Sequence, residues 1–330
     1  MDIRCTLRNE LNLLAEREMQ NKGYKWKADT KISSFHQYMN LLNREISPIP
    51  RMVFMSKNLD CPLECKDGFD ALVNGFKLGF NINAYLSSNL KDASYNDSFL
   101  NDFGLHHFHL GTGICESGKS KGFINRTGPI LIAYVTEESV YFLRVSKHGK
   151  GGVPYLWTEQ SLIEIMHEEW PELLKPYTIY GISQSSEILT SEQRQNLRKN
   201  SCNALIEMPD GTNYAPIGGG ITSADTNIKF TRDFDVFYAE AKLILKELCK
   251  YINKTNDYSM RFPVKLSLKA LSNGFLYEDV INKTQYLVRL TNSINLQITG
   301  FRQGELPEYY PHFDGYKVNA ITESIITNKN

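Results

Sequence analysis

Three histidines stand within four positions of the segment HHFHLG, at His106, His107 and His109. Imidazole titrates near neutral pH, so a histidine can accept or release a proton during catalysis, and its neutral form can bind a metal ion. In a β-strand alternate residues face the same side, which would place His107 and His109 together and His106 opposite them. The segment therefore predicts a pair of imidazoles directed at one site.

Cationic side chains stand at the ends of the next two β-rich runs. Arg126 comes just before GPILIAYV, and Arg144, Lys147 and His148 lie at the end of SVYFLRVSKH. If the three runs are neighbouring strands, imidazoles and cations converge near one edge of a sheet. The candidate catalytic residues are then His107, His109, Arg126, Arg144, Lys147 and His148.

This set of residue types suits the cleavage of RNA by its own 2′-hydroxyl. A base removes the 2′ proton, cations stabilise the charge that builds on the phosphorane, and an acid protonates the leaving 5′ oxygen. His109 and His148 are predicted as base and acid, in either order, with Arg126 and Lys147 stabilising charge. The reaction requires no metal and no cofactor, so none is expected.

The order of these elements resembles that of a known group of nucleases. HFHL, then RTGPILIAYV, then YFLRVSKHG is similar to the order in small ribonuclease toxins of the RelE and HigB kind, within the wider barnase, EndoU and colicin group. The resemblance covers residues 105–150 of a chain several times longer than such toxins. It implies a curved antiparallel sheet after helices, and by analogy a site at His109, Arg126 and His148.

The predicted function is a metal-independent endoribonuclease, an effector from a toxin or phage-defence module. Its expected partners are an RNA substrate and an inhibitory or partner protein. Two alternatives stay open. One is a non-enzymatic scaffold that binds a ligand or partner. The other is a histidine-metal hydrolase, since DFGLHHFHLG resembles the D-x-H-x-H opening of amidohydrolases; only His148, His167 and His312 remain downstream as further imidazole ligands.

Two glycine-containing segments could hold an anion. GICESGKS matches the phosphate-binding pattern G-x-x-x-x-G-K-[ST], but Gly122 and Pro129 follow too closely for the helix that this chemistry requires, so a surface hairpin loop is predicted. The segment APIGGGITSADTN places Gly218, Gly219 and Gly220 in a loop whose bare amides could bind a ligand. Its alternative interpretation is a wide turn with positive φ angles.

The elements that position these residues follow from periodicity. The first third predicts helices: a leucine stripe begins at Leu7, a second helix follows Ser33 as its N-cap, and a third runs from about Asp67 to Gly79. The middle changes to short β-rich runs, of which GPILIAYV and SVYFLRVS predict a hairpin. The polar stretch SEQRQNLRKNS is the best candidate for a domain boundary. Beyond it come a long amphipathic helix and the strand-like runs FLYEDV, TQYLVRL and INLQITG.

We therefore predict an α+β fold with a helical N-terminal layer, a central antiparallel sheet and a C-terminal α+β portion. The predicted domains are residues 1–190, with the helical layer and the central sheet, and residues 191–330, with the C-terminal portion.

The charge balance excludes a strong general attraction to nucleic acid. The chain of 330 residues has 37 lysines and arginines against 37 aspartates and glutamates. A net charge of zero gives the whole molecule no bias towards RNA or an anionic membrane, while a locally basic site is compatible with it. The N-terminal segment is too charged for a signal peptide, and the apolar run ILIAYV is too short to span a membrane. We expect a cytoplasmic protein with reduced cysteines and no membrane partner.

Overall fold

The computed structural model describes residues 3–28, 32–182, 188–255, 263–271, 274–291 and 295–302. The α-helices are α1 (Leu7–Asn21), α2 (Ser34–Arg44), α3 (Lys66–Leu78), α4 (Ser98–Phe103), α5 (Ser161–Glu169), α6 (Pro171–Leu174), α7 (Ser191–Lys199) and α8 (Ile228–Lys254). The strands are β1 (Ile3–Arg4), β2 (Met52–Met55), β3 (Leu105–His109), β4 (Pro129–Val135), β5 (Ser139–Lys147), β6 (Thr178–Ile179), β7 (Ile206–Glu207), β8 (Asn213–Tyr214), β9 (Val264–Leu271), β10 (Phe275–Asp279), β11 (Thr284–Thr291) and β12 (Asn295–Arg302). Helices and mixed sheets occur together, so the predicted α+β class is confirmed.

The chain divides into two compact units. Unit 1 consists of residues 1–39 and 231–330, and unit 2 of residues 40–230. Unit 1 holds a sheet in the order β1-β9-β10-β11-β12, in which β1 pairs with β9 in parallel. This division differs from the one predicted at residue 190, because pairing between strands near the two ends of the chain leaves no trace in local periodicity.

The predicted helices of the first third are present. Leu7, on the buried face of α1, is 5% exposed. Ser33 precedes α2, and its hydroxyl accepts a hydrogen bond from the backbone N–H of His36 at 3.3 Å, as an N-cap residue does. Helix α3 ends at Gly79, whose φ of 74° is the left-handed conformation that glycine adopts without strain. Capping chemistry and apolar spacing therefore located these helices correctly.

The central sheet of unit 2 has the strand order β2-β5-β4-β3. Strands β3, β4 and β5 are antiparallel neighbours, with His109 opposite Ile130 and Pro129 opposite Lys147. The predicted hairpin and the adjacency of the three strands are confirmed. The sheet is mixed rather than antiparallel, because β2 pairs with β5 in parallel. Strand β2 is only four residues long and lies in a segment whose other apolar runs are helical, so its sequence did not reveal it.

Both faces of this sheet are covered, which explains the unbroken apolar run in β4. On one face α3 contributes Phe76, whose ring meets Phe108 edge-on at 5.6 Å. On the other face Ile130 and Ile132 pack into a buried cluster with residues of α4 and α5. Because His107 and His109 alternate with Phe108, their side chains lie on this second face.

None of the helices in the described segments is both long enough and apolar enough to cross a bilayer.

Candidate functional site

Unit 2 contains a cavity of about 420 Å³ at the edge of the central sheet. Four of the predicted site residues line it: His107, His109, Arg126 and His148. They come from three separate segments of the chain, at β3, at the start of β4 and at the end of β5. The sheet therefore brings together the side chains whose convergence the sequence predicted.

Strand geometry explains the convergence of the imidazoles. His107 and His109 are two residues apart on β3 and face the same side, with ring centroids 6.1 Å apart. Strand β4 lies between β3 and β5, and its first residues pair with the last residues of both neighbours. His148 follows β5 directly, so its ring comes within 5.7 Å of the ring of His109.

The backbone of Gly128 fixes the orientation of His148. Its carbonyl oxygen accepts hydrogen bonds from the backbone N–H of His148 at 3.2 Å and from Nδ1 at 3.0 Å. Because a carbonyl can only accept, Nδ1 carries a hydrogen, and in the neutral ring Nε2 holds the lone pair. Among the described residues Nε2 has no hydrogen-bond partner, so it is available to a ligand in the cavity.

His109 is the most deeply placed of the three imidazoles. The residue is 3% exposed, and its Nδ1 is buried without a hydrogen-bond partner in the described part of the chain. Burial, together with the neighbouring His107, His148 and Arg126, lowers its pKa to about 3. Burial also lowers the pKa of His107 to about 4. Both rings are therefore neutral at pH 7.

These lowered pKa values predict that the free energy of unfolding decreases as the pH is lowered. In the unfolded chain a histidine has a pKa of about 6.5, so between pH 6.5 and about 3 the unfolded state binds more protons than the folded state. The contribution of neutral His109 is complete above pH 6.5 and is lost as the pH falls towards 3. Its slope is at most about 1.4 kcal/mol per pH unit for one histidine.

Urea denaturation at a series of pH values from 7 to 4 measures this effect. A His109→Asn variant removes one titrating ring, so its free energy of unfolding should change less steeply with pH than that of the wild type. Other titrating groups are common to both proteins and cancel in the difference. Identical slopes for the two proteins would show that the buried ring does not resist protonation.

Arg126 is a cation that lines the same cavity as the imidazoles. Its side chain is exposed, and Nη2 donates a long hydrogen bond of 3.4 Å to the hydroxyl of Ser88. Arg126 forms no salt bridge with any residue that the structure describes. Its charge is therefore not neutralised by the protein and can act on an anion in the cavity.

The other two predicted cations do not line the cavity, which corrects the predicted site. Arg144 forms a salt bridge with Glu159 and donates a hydrogen bond of 2.9 Å to Ser146, so its charge is already compensated. Lys147 is exposed, pairs with Pro129 in the sheet, and directly precedes His148. Consecutive residues face opposite sides of a strand, so His148 and Lys147 diverge.

A second wall of the cavity was not predicted from the sequence. Helix α7 contributes Gln195, Arg198 and Lys199, and the 3-10 turn Leu156–Thr158 contributes Trp157. The polar stretch taken as a domain boundary is thus a helix with a capping box at Thr190. The spacing of Gln195, Arg198 and Lys199, at positions i, i+3 and i+4, was a signal that could have placed them on one helix face.

Asp102 anchors this wall to helix α4. Its Oδ2 lies 2.5 Å from Nε of Arg198 and 3.5 Å from Nη1 of Arg194. Both guanidinium groups also lie over the ring of Phe103, at 4.5 Å for Arg198 and 5.5 Å for Arg194. The three charged side chains are almost fully buried, so Asp102 supplies most of the compensation for two cations inside the protein.

The glycine loop is a structural element rather than a bare anion site. The amides of Gly218, Gly219 and Gly220 donate to the carbonyl oxygens of Asp102, Pro216 and Asn101, at 3.1, 3.0 and 2.8 Å. These amides are occupied, which corrects the expectation that they could face a ligand. The alternative interpretation of a turn with positive φ agrees with the angles of 98° at Gly219 and 81° at Gly220.

The phosphate-loop pattern GICESGKS has no following helix. The segment forms a hairpin-like loop in which the N–H of Cys115 donates to the carbonyl of Phe123 at 2.8 Å. Between Ser120 and Pro129 the chain contains only turns and isolated bridges. The prediction of a surface hairpin loop is confirmed, and no helix N-terminus is present to hold a phosphate.

The geometry of the described residues provides no set of metal ligands for the alternative of a histidine-metal hydrolase. In the described segments no group of three or more His, Cys, Asp or Glu side chains is arranged to hold a metal ion. His167 lies elsewhere in unit 2, where Nδ1 is 2.8 Å from the hydroxyl of Tyr214. His312 lies outside the described residues.

The cavity is locally positive although the chain is neutral. Arg126, Arg198 and Lys199 line it, against a single lining carboxylate at Asp97. Asp97 is also the N-cap of α4 and accepts a hydrogen bond of 3.1 Å from the N–H of Leu100. With imidazoles at its centre, the arrangement can bind an anion and exchange protons with it. Comparisons with protein-family models, curated proteins and solved structures find no match to this chain.

Proposed function

We propose that this protein is a metal-independent endoribonuclease that cleaves RNA through the 2′-hydroxyl. The observation that supports this proposal is the convergence of three imidazoles and an uncompensated arginine, Arg126, in one cavity. The ring centroids of His109 and His148 lie 5.7 Å apart, so both rings can contact oxygens of the same phosphate, as catalysis by a base and an acid requires.

The different environments of the two rings favour one division of roles. His109 is buried and neutral, as a general base must be before it accepts the 2′ proton. His148 is half-exposed, lines the cavity, and holds its Nδ1–H against the carbonyl of Gly128. We assign the buried His109 as the base and the more accessible His148 as the acid. A bound phosphate adds negative charge beside His109 and favours its protonated form.

The reaction proceeds without another reactant. The 2′ oxygen attacks phosphorus as its proton passes to His109. The bond between phosphorus and the 5′ oxygen then breaks, and the 5′ oxygen receives a proton from His148. The products are a 2′,3′-cyclic phosphate and a free 5′-hydroxyl. Arg126 stabilises the charge on the non-bridging oxygens of the phosphorane.

Incubation of the purified protein with RNA in EDTA tests the proposal. We expect cleavage with 2′,3′-cyclic phosphate ends, and no cleavage of DNA or of RNA carrying 2′-O-methyl groups, because both lack the attacking hydroxyl. Intact RNA after incubation, cleavage of DNA, or an activity that EDTA removes would each contradict the mechanism.

Replacement of Arg126 is expected to lower the catalytic efficiency strongly and to change the stability of the fold little. In Arg126→Ala we expect kcat/KM to fall by about 10²- to 10³-fold, as for the loss of one donor to a developing anion. Arg126→Lys should recover part of the activity, since lysine supplies the charge without the planar fork. The side chain is exposed and makes one long hydrogen bond, so the free energy of unfolding should barely change.

Lys150→Ala is the matched control for Arg126. It also removes one positive charge from an exposed side chain, two residues after His148, but it does not line the cavity. We expect cleavage close to the wild-type rate. Equal losses in Arg126→Ala and Lys150→Ala would mean that general surface charge, rather than a contact with the phosphorane, is responsible.

The cellular context is part of the same proposal. The likeness to ribonuclease toxins rests on the order of HFHL, RTGPILIAYV and YFLRVSKHG in the sequence. On this basis the protein acts in the cytoplasm as a toxin or phage-defence effector, with an inhibitory protein as partner.

A further inference from the structure

Arg198 is a buried cation in the wall of the cavity with unused hydrogen-bonding capacity. Its side chain is 6% exposed, Nε is bound by Asp102, and Nη1 donates to the carbonyl of Trp157. Nη2 is buried and has no acceptor among the described residues. Arg198 lines the cavity, so an anion bound there lies beside a cation that shares the carboxylate of Asp102 with Arg194.

Lys199 extends this cationic surface at the C-terminus of α7. It is exposed, lines the cavity and forms neither a hydrogen bond nor a salt bridge with the described residues. Gln195 lies one turn earlier on the same face. A cation is favoured at the negative end of a helix dipole, which supports the presence of Lys199 there without a carboxylate partner.

Trp157 lies between the imidazoles and α7. Its ring centroid is 4.9 Å from that of His107 and 6.0 Å from that of His148. Two contacts tie the turn Leu156–Thr158 to α7: the bond from Arg198 to the carbonyl of Trp157, and a hydrogen bond of 2.8 Å from the hydroxyl of Thr158 to the carbonyl of Ser191. The indole is thus held in place, and its half-exposed surface borders the cavity.

We infer that Trp157, Arg198 and Lys199 form a nucleotide subsite beside the scissile phosphate. Trp157 stacks on the base of the adjoining nucleotide, and the two cations bind the next phosphate of the strand. The substrate is therefore single-stranded RNA of at least two nucleotides, because a base that stacks on a side chain must leave its duplex. This inference rests on the proposed function, since the imidazoles define which phosphate is cleaved.

The positions of the cations that line the cavity fit two phosphates better than one. Arg126 lies on the side of β4, while Arg198 and Lys199 lie on α7, so cations line two walls of the cavity. The His109–His148 pair lies at the edge of the sheet. Trp157 contacts both sides, with its ring near His148 and its carbonyl bonded to Arg198 of α7. A strand that runs from Arg126 towards α7 would place successive phosphates at the two positive walls.

Binding of a non-cleavable ligand tests the subsite apart from catalysis. The probe is a fluorescent, single-stranded tetranucleotide with 2′-O-methyl groups throughout, and the readout is its Kd by anisotropy at several salt concentrations. Trp157→Ala should weaken binding about 5- to 100-fold, the range expected for loss of one stacked base. Lys199→Ala should weaken binding and reduce the slope of log Kd against log salt by about 0.7, as for one lost phosphate contact.

Matched variants separate a subsite from a general effect. Lys175→Ala removes a lysine that is 71% exposed and does not line the cavity, so binding and salt slope should stay at wild-type values. Arg198→Lys should weaken binding while Arg194→Lys does not, since both arginines contact Asp102 but only Arg198 lines the cavity. A duplex form of the probe should bind more weakly than the single strand.

Wild-type affinity and salt slope in both Trp157→Ala and Lys199→Ala would overturn the subsite, as would equal binding of duplex and single strand. Cleavage of unmodified RNA by the wild type is measured in parallel. Cleavage together with unaltered binding by the variants refutes the subsite and leaves the nuclease. Binding that depends on Trp157 and Lys199, without cleavage, supports the subsite and refutes the nuclease. A wild type that neither binds nor cleaves refutes both.

Discussion

A His109→Ala plus His148→Ala variant is expected to lose RNA cleavage almost entirely. General acid and base catalysis each contribute about 10²- to 10⁴-fold, so each single variant should fall by such a factor. The two losses should not simply multiply, because base and acid act as a unit on the same reaction. Initial rates on a fluorogenic ribonucleotide substrate, with EDTA present, provide the measurement.

His106→Asn is the matched control for these histidine variants. His106 lies on the same strand, but it faces the side opposite to His107 and His109 and does not line the cavity. We expect its cleavage rate to stay near that of the wild type. If the double variant kept more than a tenth of the wild-type rate, the assignment of the two rings would be wrong.

Chemical rescue distinguishes a catalytic from a structural role for His148. Its ring is half-exposed and lines the cavity, so in His148→Ala an added imidazole can occupy the space of the missing side chain. We expect the rate to rise with imidazole concentration and with the fraction of imidazole in its protonated form. A defect that imidazole cannot restore at any pH would indicate that His148 acts through the structure of the loop after β5.

Asp102→Asn is expected to cause the largest loss of stability. The substitution keeps the shape of the side chain but removes the charge that compensates Arg194 and Arg198, whose side chains are 2% and 6% exposed. Removing one partner of a buried ion pair typically costs about 3–5 kcal/mol. Urea denaturation followed by tryptophan fluorescence is suitable, because Trp157 and Trp170 both lie in unit 2.

Asp97→Asn provides the comparison for Asp102. Asp97 flanks the other end of the same helix as the N-cap of α4, and asparagine caps a helix about as well as aspartate. The free energy of unfolding should change by less than about 0.5 kcal/mol in this control. A cost below about 1 kcal/mol for Asp102→Asn would show that water or a shifted side chain compensates the two arginines.

The side of the cavity that carries the imidazoles could be predicted from the sequence, because local sequence patterns determine it. Alternation along β3 placed His107 and His109 on one side, and the hairpin of β4 and β5 brought His148 back beside them. These features depend on period-2 patterning and on a short turn, both of which are visible in a single sequence. They also sufficed to predict the α+β class.

The other half depends on contacts that local patterns do not encode. The buried residue of α7 is Arg194, a cation, so the helix carries no apolar stripe and was taken for a boundary. Its partner Asp102 is far away in the sequence. Arg144 shows the converse case: its position near the strand end was predicted correctly, but its salt bridge with Glu159 could not be foreseen.

The interruption of unit 1 by unit 2 has a consequence for biosynthesis. Residues 40–230 are translated before strand β9, the partner of β1. Domains generally fold as units during synthesis. The nascent polypeptide thus possesses every side chain that lines the cavity before the sheet of unit 1 can form.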